Sequence, residues 1–217
     1  MKFTLSHRAK RAFTLIEILV VIAIISILAA VSIIGYGSIS QAQDRSKAKS
    51  DMASIALALE TFRGKYGDYP RLNAKGGVEN CARTLYKCLA GQTYMKVEKG
   101  QVDFVDIKNT SEYEPLLDIS IMRVGDPSDP SAEVRNLFND KNAFLDPWGK
   151  SYMYYYNSSR VVGQTGAWEG IGFILMSNGE DGENAEIQSM FSTGIKPSED
   201  DFRAHPRNLD NIVHDWD

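Results

Sequence analysis

The chain has 217 residues, of which 43% are hydrophobic and 24% charged, and its formal net charge is −4. This length suits one domain with an appendage. The acidic balance lacks the basic surface that nucleic-acid binding needs, so we expect no nucleic-acid partner.

The chain opens on a basic leader, residues 1–12. The leader contains no acidic residue and four basic ones, which are Lys2, Arg8, Lys10 and Arg11. A basic stretch before an apolar segment stays on the cytoplasmic side of a membrane under the positive-inside rule. The rest of the chain is therefore predicted to face outward.

An apolar segment follows from Phe13 to Ile34 and carries one charge, Glu17. As a helix it would span about 33 Å, close to the thickness of the hydrocarbon core of a bilayer. We therefore predict a transmembrane helix over residues 13–35. A secretory signal peptide, for which Ala29–Ala30 offers a cleavage position, and a plain membrane anchor are the alternatives.

Glu17 argues against both alternatives. A carboxylate inside an apolar segment is costly in lipid and by default marks a functional contact with a partner. A lone anchor gives Glu17 no partner. A filament supplies one if another subunit brings a positive group to the same depth, so Glu17 favours assembly.

The helix is predicted to continue as an amphipathic helix over residues 36–64. Apolar residues recur at steps of three and four and form one stripe, Ala48, Met52, Ile55, Ala56 and Leu59. The opposite face is predicted to be charged, with Asp44, Arg45, Lys47, Lys49 and Asp51. Gly64, Gly67 and Pro70 then break the pattern, which predicts one helix from Phe13 to about Phe62.

Residues 65–217 are predicted to form a globular head, which makes the chain an α+β protein. Cys81–Ala90 is predicted to be a short helix that ends at Gly91, and Val102–Ile107 a short strand. Residues 109–146 are polar, with short apolar stretches, and are predicted to be loops.

The C-terminal half contains two strong strand signals. Asp146–Gly149 (DPWG) is a turn sequence, and Tyr152–Tyr156 follows it with high strand propensity. Gly170–Met176 is a second apolar strand. Together they predict an antiparallel sheet packed on the amphipathic half of the long helix.

The two cysteines, Cys81 and Cys88, are seven residues apart. Two turns of helix separate such residues by about 10 Å, whereas the alpha carbons of a disulfide lie within about 7 Å. A disulfide therefore needs a bend between them, and two free buried thiols are the alternative.

No residue pattern indicates catalysis. The histidines, His7, His205 and His214, are scattered, and the sequence has no zinc-binding spacing, nucleophile elbow or phosphate-binding loop. We therefore predict that the protein is not an enzyme.

An oxygen-rich loop, SNGEDGEN, occupies residues 177–184. Calcium binds about six to eight oxygens from carboxylates, amides and backbone carbonyls, and this loop is rich in all three. The spacing is not that of an EF-hand, and a solvated acidic loop explains the same composition. Composition alone leaves both interpretations open.

Residues 11–30 (RAFTLIEILVVIAIISILAA) resemble the N-terminal signature of type IV pilins and type II secretion pseudopilins. The resemblance implies that a prepilin peptidase cuts between Ala12 and Phe13 and that the new N-terminus is methylated. It also implies that Glu17 pairs with the N-terminal amine of a neighbouring subunit. The family usually has glycine before the cut, where this chain has Ala12.

Further segments resemble the major, G-type pseudopilin of type II secretion. They are ALETFRGKYGDYPRLNA (58–74), the DPWG turn with its following tyrosines, and SNGEDG (177–182). The resemblance implies a calcium site, whose ligands would be Ser177, Asp181, Asp210 and Asn211. Residues 185–208 are longer than the usual loop of this family, and Asn211 stands where aspartate is common.

The resemblance implies a pilin-like fold and a structural subunit of a type II secretion pseudopilus. Such a subunit crosses the bacterial inner membrane once, keeps its head in the periplasm and polymerises to support protein export. Its implied partners are further copies of itself, the prepilin peptidase, the inner-membrane assembly platform and minor pseudopilins. The alternatives are a subunit of a type IV pilus or related surface filament, and a membrane-anchored binding protein that does not polymerise.

Overall fold

The computed structural model describes residues 13–71, 77–98, 101–107, 114–131, 136–156, 172–185, 190 and 195–215. The chain divides into two compact units, Met1–Gln43 and Asp44–Asp217. The leader, including Ala12, lies outside the described residues.

Helix α1 extends from Leu15 to Tyr66. One long N-terminal helix was predicted, and the prediction is confirmed. The helix continues through Gly64 and ends at Gly67, whose φ of +85° is a conformation that glycine adopts without steric strain. The amide of Gly67 closes the last turn on the carbonyl oxygen of Arg63, at 2.8 Å.

In the first unit, the described side chains of α1 are exposed. They include large apolar residues at both ends of the stretch, with Leu15 at 84% exposure and Leu28 at 62%. Of the residues that the structure describes, no helix combines the length and the apolar character that crossing a membrane requires.

In the second unit, α1 buries the predicted apolar stripe. Ala48, Met52, Ile55 and Leu59 are at most 1% exposed. They share one core with side chains from the following helix and the strands, including Leu85, Tyr86, Phe144, Tyr152, Tyr154 and Leu175. The amphipathic interpretation of this half of the helix is therefore confirmed.

The assignment of Asp51 to the charged face is wrong, because the structure places it in the core at 3% exposure. Its carboxylate accepts hydrogen bonds from Lys47 Nζ at 2.5 Å and from the Tyr152 hydroxyl at 3.2 Å. Burial of a charge is tolerated where such partners compensate for lost water. Asp51 lies next to Met52 in sequence, within the angular width of the buried face.

Helix α2, Gly77–Leu89, covers the helix predicted at Cys81–Ala90 except for its last residue and begins four residues earlier. Gly91 follows it with a φ of +71°, and an added Cβ would lie 2.6 Å from the backbone of Glu114. Only glycine fits this close approach. Cys81 and Cys88 are both buried and free, so the free-thiol alternative holds and the disulfide does not form.

A hairpin follows α2. Strand β1, Thr93–Glu98, pairs antiparallel with β2, Gln101–Asp106, with Thr93 opposite Asp106. The strand predicted at 102–107 is thus confirmed, whereas β1 was not predicted.

A second pair of short strands lies in the stretch predicted to be loops. A 3-10 helix, Ile119–Ile121, leads into β3, Arg123–Gly125, which pairs antiparallel with β4, Ala143–Leu145. The loop prediction is wrong at these strands. Three residues are too few to show an alternating pattern, and β4 is buried along its whole length.

The third sheet contains the two predicted C-terminal strands. Strands β5, Met153–Tyr155, β6, Ile174–Ser177, and β7, Ile212–Val213, lie in the order β5-β6-β7, and both pairs are antiparallel. Helix α3, Glu199–Arg203, and a 3-10 helix, Pro206–Asn208, lie between β6 and β7 in sequence. Residues 157–171, which include the first two residues of the strand predicted at Gly170–Met176, lie outside the described residues.

Candidate functional site

Glu17 lies in the first turn of α1 and forms a capping box with Thr14. Glu17 Oε2 accepts hydrogen bonds from the backbone amide and the hydroxyl of Thr14, both at 2.8 Å. In return, Thr14 Oγ1 accepts from the amide of Glu17 at 3.3 Å. This arrangement satisfies backbone donors that have no partner at the start of a helix. The sequence pattern Thr-x-x-Glu indicates such a capping box, which was not among the predictions for Glu17.

Glu17 keeps the capacity to bind a second donor. Its side chain is exposed, and Oε1 makes no hydrogen bond to any residue that the structure describes. Phe13, the predicted new N-terminus, is exposed and lies four residues before Glu17, which is about one helical turn. The carboxylate can therefore cap its own helix through one oxygen and accept an amine from outside through the other.

The surroundings of Glu17 are apolar. Leu15 is 84% exposed, Ile16 69% and Ile18 51%. A continuous exposed apolar surface marks a contact with a membrane or with another protein. A single carboxylate within it is the feature that fixes position and orientation, because apolar contacts are not directional.

A second site joins the DPWG turn to the oxygen-rich loop. Ser177, the last residue of β6, donates from Oγ to Asp146 Oδ2 at 2.6 Å and accepts from the amide of Gly179 at 3.1 Å. Asp146 Oδ1 accepts from the amides of Trp148 and Lys150, at 3.1 Å and 2.8 Å. Burial raises the pKa of Asp146, whereas these hydrogen bonds act to lower it. Sequence reasoning took Asp146 for a turn residue only.

The two aspartates predicted as calcium ligands belong to adjoining segments. The amide of Asp181 donates to Asp210 Oδ2 at 3.0 Å. Gly179 has a φ of +67°, and an added Cβ would lie 2.5 Å from that same oxygen. Glycine is therefore required for the loop to approach Asp210.

Two buried amide oxygens near these aspartates have no hydrogen-bond partner among the residues that the structure describes. They are Oδ1 of Asn178 and Oδ1 of Asn211, and Asn211 is 1% exposed. Buried acceptors without partners are uncommon, and an ion that prefers oxygen would satisfy them. Asn178 was not among the predicted ligands, although it stands within SNGEDG.

The potential donors of this loop are oxygen atoms. Within the described ranges, no group of three or more histidine, cysteine, aspartate or glutamate side chains is placed to hold a metal ion. Calcium also accepts amide and backbone carbonyl oxygens, which this loop offers. Ser177 Oγ, in contrast, is already bonded to Asp146 and Gly179.

Comparison with known proteins places the N-terminus in a defined class. Residues 7–33 match the prokaryotic N-terminal methylation motif. The match spans the predicted cut and Glu17. It supports the pilin-like family and implies processing by a prepilin peptidase, methylation and pilus-type assembly. No curated protein and no solved structure matches the chain.

Proposed function

We propose that this protein is a structural subunit of a type II secretion pseudopilus, which polymerises from the bacterial inner membrane and supports protein export. The observation that carries the proposal is Glu17, a carboxylate with one free oxygen in an exposed apolar helix within the matched methylation motif. Pilin-like structural proteins are generally not enzymes, and we propose no catalytic activity.

We propose that residues 13–35 cross the inner membrane once and hold the head in the periplasm. The basic leader, the apolar segment after it and the methylation motif support this orientation. The proposed partners are the prepilin peptidase, the assembly platform and minor pseudopilins, together with further copies of the chain.

Glu17 is proposed to set the register of assembly. A neighbouring subunit displaced along the helix axis brings its Phe13 amine to the carboxylate. In the low dielectric of a helix bundle, an unpaired charge costs several kcal/mol, so the pairing favours docking of the next subunit. Thr14 holds Oε2, and Oε1 is the oxygen that the incoming amine would reach.

The C-terminal loop supports a pseudopilus over a surface pilus, since the methylation motif is common to both. The DPWG turn and the SNGEDG loop, which resemble the major pseudopilin, meet at the hydrogen bond between Ser177 and Asp146. The two cysteines lie in α2 and are free, so they do not close a C-terminal loop.

We further propose that the loop binds calcium. Asp181, Asp210 and Asn211 would hold the ion, with Asn178 as an additional ligand because its buried Oδ1 is without a partner. Ser177 was also a predicted ligand. We propose instead that it positions the loop through its hydrogen bonds to Asp146 and Gly179. The ion would supply positive charge that ties the loop before α3 to the segment before β7.

Two substitutions of Glu17 separate its capping role from its charge. Glu17→Gln keeps an oxygen that accepts from Thr14, whereas Glu17→Val removes both the acceptor and the charge. Both variants should reach the membrane with a folded head, because neither step uses the charge. Filament yield, measured by electron microscopy, and secretion should fall about tenfold or more in both variants.

Ser26→Ala is the matched control, since its hydroxyl only donates to the carbonyl of Ile22 at 2.7 Å. It should assemble as the wild type does. Normal filaments from Glu17→Gln would mean that the carboxylate acts only as a helix cap. Wild-type protein that stays monomeric in a membrane with the complete secretion apparatus would overturn the proposed function.

A further inference from the structure

In the second unit, α1 has a face that none of the described elements covers. Its central apolar residue, Leu57, is 71% exposed. The other exposed residues of the face recur at steps of three and four and are Ser46, Lys49, Ala53, Glu60 and Gly64. This face points away from the buried stripe and is available to a partner.

The N-terminal end of this face is basic. Lys49 makes no ion pair with any residue in the described ranges. Arg45 lies one turn before it, and like charges four residues apart destabilise a helix. Both residues line a cavity of about 400 Å³ with Arg203, and the Asp210 carboxylate there accepts from the amide of Asp181. A carboxylate from outside would therefore be favoured at this end.

The C-terminal end of the face carries an acidic residue, Glu60. Glu60 Oε1 accepts from the Tyr69 hydroxyl at 2.6 Å, and Oε2 lies 3.7 Å from Arg63 Nη1. The Glu60 side chain is 53% exposed, and such a long exposed ion pair contributes little. Glu60 and Arg63 line a cavity of about 700 Å³, together with Asp68 and Asp215, which are held in ion pairs with Arg71 and Lys196. The carboxylate of Glu60 thus stays available to a cation from another molecule.

The two ends are related by an offset of eleven residues. Eleven residues make about three turns of helix, so a residue and the one eleven further on lie on nearly the same face. A second, parallel copy that is rotated by half a turn about the helix direction and shifted by this offset, about 16.5 Å, brings Lys49 opposite Glu60. The same shift places Ser46 opposite Leu57 and Ala53 opposite Gly64. Without the shift, Lys49 would face Lys49 and Glu60 would face Glu60.

We propose that this face binds a second copy of the chain at the eleven-residue offset, through an ion pair between Lys49 and Glu60 and packing of Leu57 against Ser46. The inference rests on the proposed filament and adds a contact between heads. This contact involves a different neighbour from the one whose amine pairs with Glu17, because four residues rather than eleven separate Phe13 from Glu17. Residues 46–53 of one copy meet residues 57–64 of the next, so each copy uses both halves once. Because each copy is also displaced along the helix axis, such a head-to-tail contact cannot close a ring and continues along a filament.

Carbodiimide cross-linking of wild-type filaments tests the register. The reagent joins an amine and a carboxylate that are in direct contact. Within one chain Lys49 and Glu60 are about 16.5 Å apart along the helix, too far for such a link. We expect a Lys49–Glu60 peptide by mass spectrometry, and mixed isotopes in it when labelled and unlabelled copies assemble together. Lys49→Arg keeps the charge and should assemble normally without this peptide.

Charge reversal tests the energy of the contact. Lys49→Glu should reduce filament yield more than about tenfold, because like charges then face each other. Glu60→Gln keeps an acceptor for Tyr69 and should reduce the yield less. Lys49→Glu combined with Glu60→Lys should restore filaments, and melting of each full-length variant checks that the head folds.

The outcomes distinguish this inference from the proposed function. Filaments that yield other cross-links and no Lys49–Glu60 peptide would overturn the inference alone. So would wild-type assembly by a folded Lys49→Glu variant. Failure of the wild-type chain to form any filament would overturn both.

Discussion

The hydroxyl of Tyr152 donates to Oδ2 of Asp51 at 3.2 Å and joins the start of β5 to the buried face of α1. Asp51 also binds Lys47, whose Nζ donates in addition to the carbonyl of Ile121 at 3.0 Å. Burial first, and then the charge of Asp51, raises the pKa of Tyr152, so the hydroxyl keeps its proton and remains a donor. This polar contact fixes helix and sheet within an otherwise apolar core.

Tyr152→Phe should therefore destabilise the head. The substitution leaves the ring in place and removes one donor to a buried carboxylate, which should lower the free energy of unfolding by about 2 kcal/mol. Urea denaturation followed by circular dichroism measures the change. Tyr94→Phe is the control, because Tyr94 is half-buried in β1 and makes no hydrogen bond to the described residues, and its effect should stay within about 0.5 kcal/mol. Equal effects of the two substitutions would contradict the role of the Asp51 contact.

The mature chain should begin at Phe13 with a methylated amine. Removal of the leader takes away four positive charges and no negative one, so the formal net charge changes from −4 to −8. Intact-mass analysis of protein extracted from membranes measures the N-terminus directly. Ala12→Gly should give the same N-terminus. Functional protein that begins at Met1, or at Ala30 as a signal peptide would predict, would refute this processing.

Calcium should raise the melting temperature of the full-length protein, and a chelator should lower it. An ion that binds only the folded state adds about 2.7 kcal/mol of stability at a hundredfold excess over its Kd. Asp181→Ala should abolish the response. Asp103→Ala removes an exposed carboxylate from β2 and should keep it. An Asp181→Ala protein that responds to calcium as the wild type does would place the ion elsewhere.

The stability of the head should depend on pH through Asp146. Burial raises the pKa of this carboxyl, so the folded state binds its proton more tightly than the unfolded state does. The wild type should therefore gain stability relative to Asp146→Asn as the pH falls through the raised pKa towards the ordinary value near 4. Denaturation curves with chelator present, recorded from pH 7 to pH 4, measure this difference.

Ser177→Ala should move this dependence to higher pH. The Ser177 hydroxyl is the strongest influence that lowers the pKa of Asp146, and its removal leaves burial less opposed. A difference between wild type and Asp146→Asn that grows with rising pH would contradict the sign of the effect.

Elements with a local pattern were predictable. The spacing of the apolar residues from Ala48 to Leu59 predicts a helix, because each of them is followed by another within about one turn. The tyrosines in and around β5 predict a strand through their high strand propensity alone. Strands β3, β4 and β7 were missed, because two or three residues show no period and their pairing partners lie elsewhere in the chain. The six-residue strand β1 was also missed, although its partner β2 follows it closely in sequence.

The burial of a polar residue in the core likewise depends on a partner that is distant in the sequence. Asp51 was assigned to the exposed face because a charged residue on an amphipathic helix is usually solvated. Its burial depends on Tyr152, which lies 101 residues further along the chain. No window of local sequence contains both partners.

At the N-terminus, local sequence was enough to define the leader, the apolar segment and Glu17, since charge and hydropathy act along a single helix. Tertiary structure was needed to join Ser177 to Asp146, 31 residues away, and Asp181 to Asp210, 29 residues away. It also left the Oδ1 atoms of Asn178 and Asn211 buried without partners. The contact between Asp181 and Asp210 joins the loop after β6 to the segment before β7, which the pairing of these two strands brings together. The contact between Ser177 and Asp146 joins the end of β6 to the turn after β4.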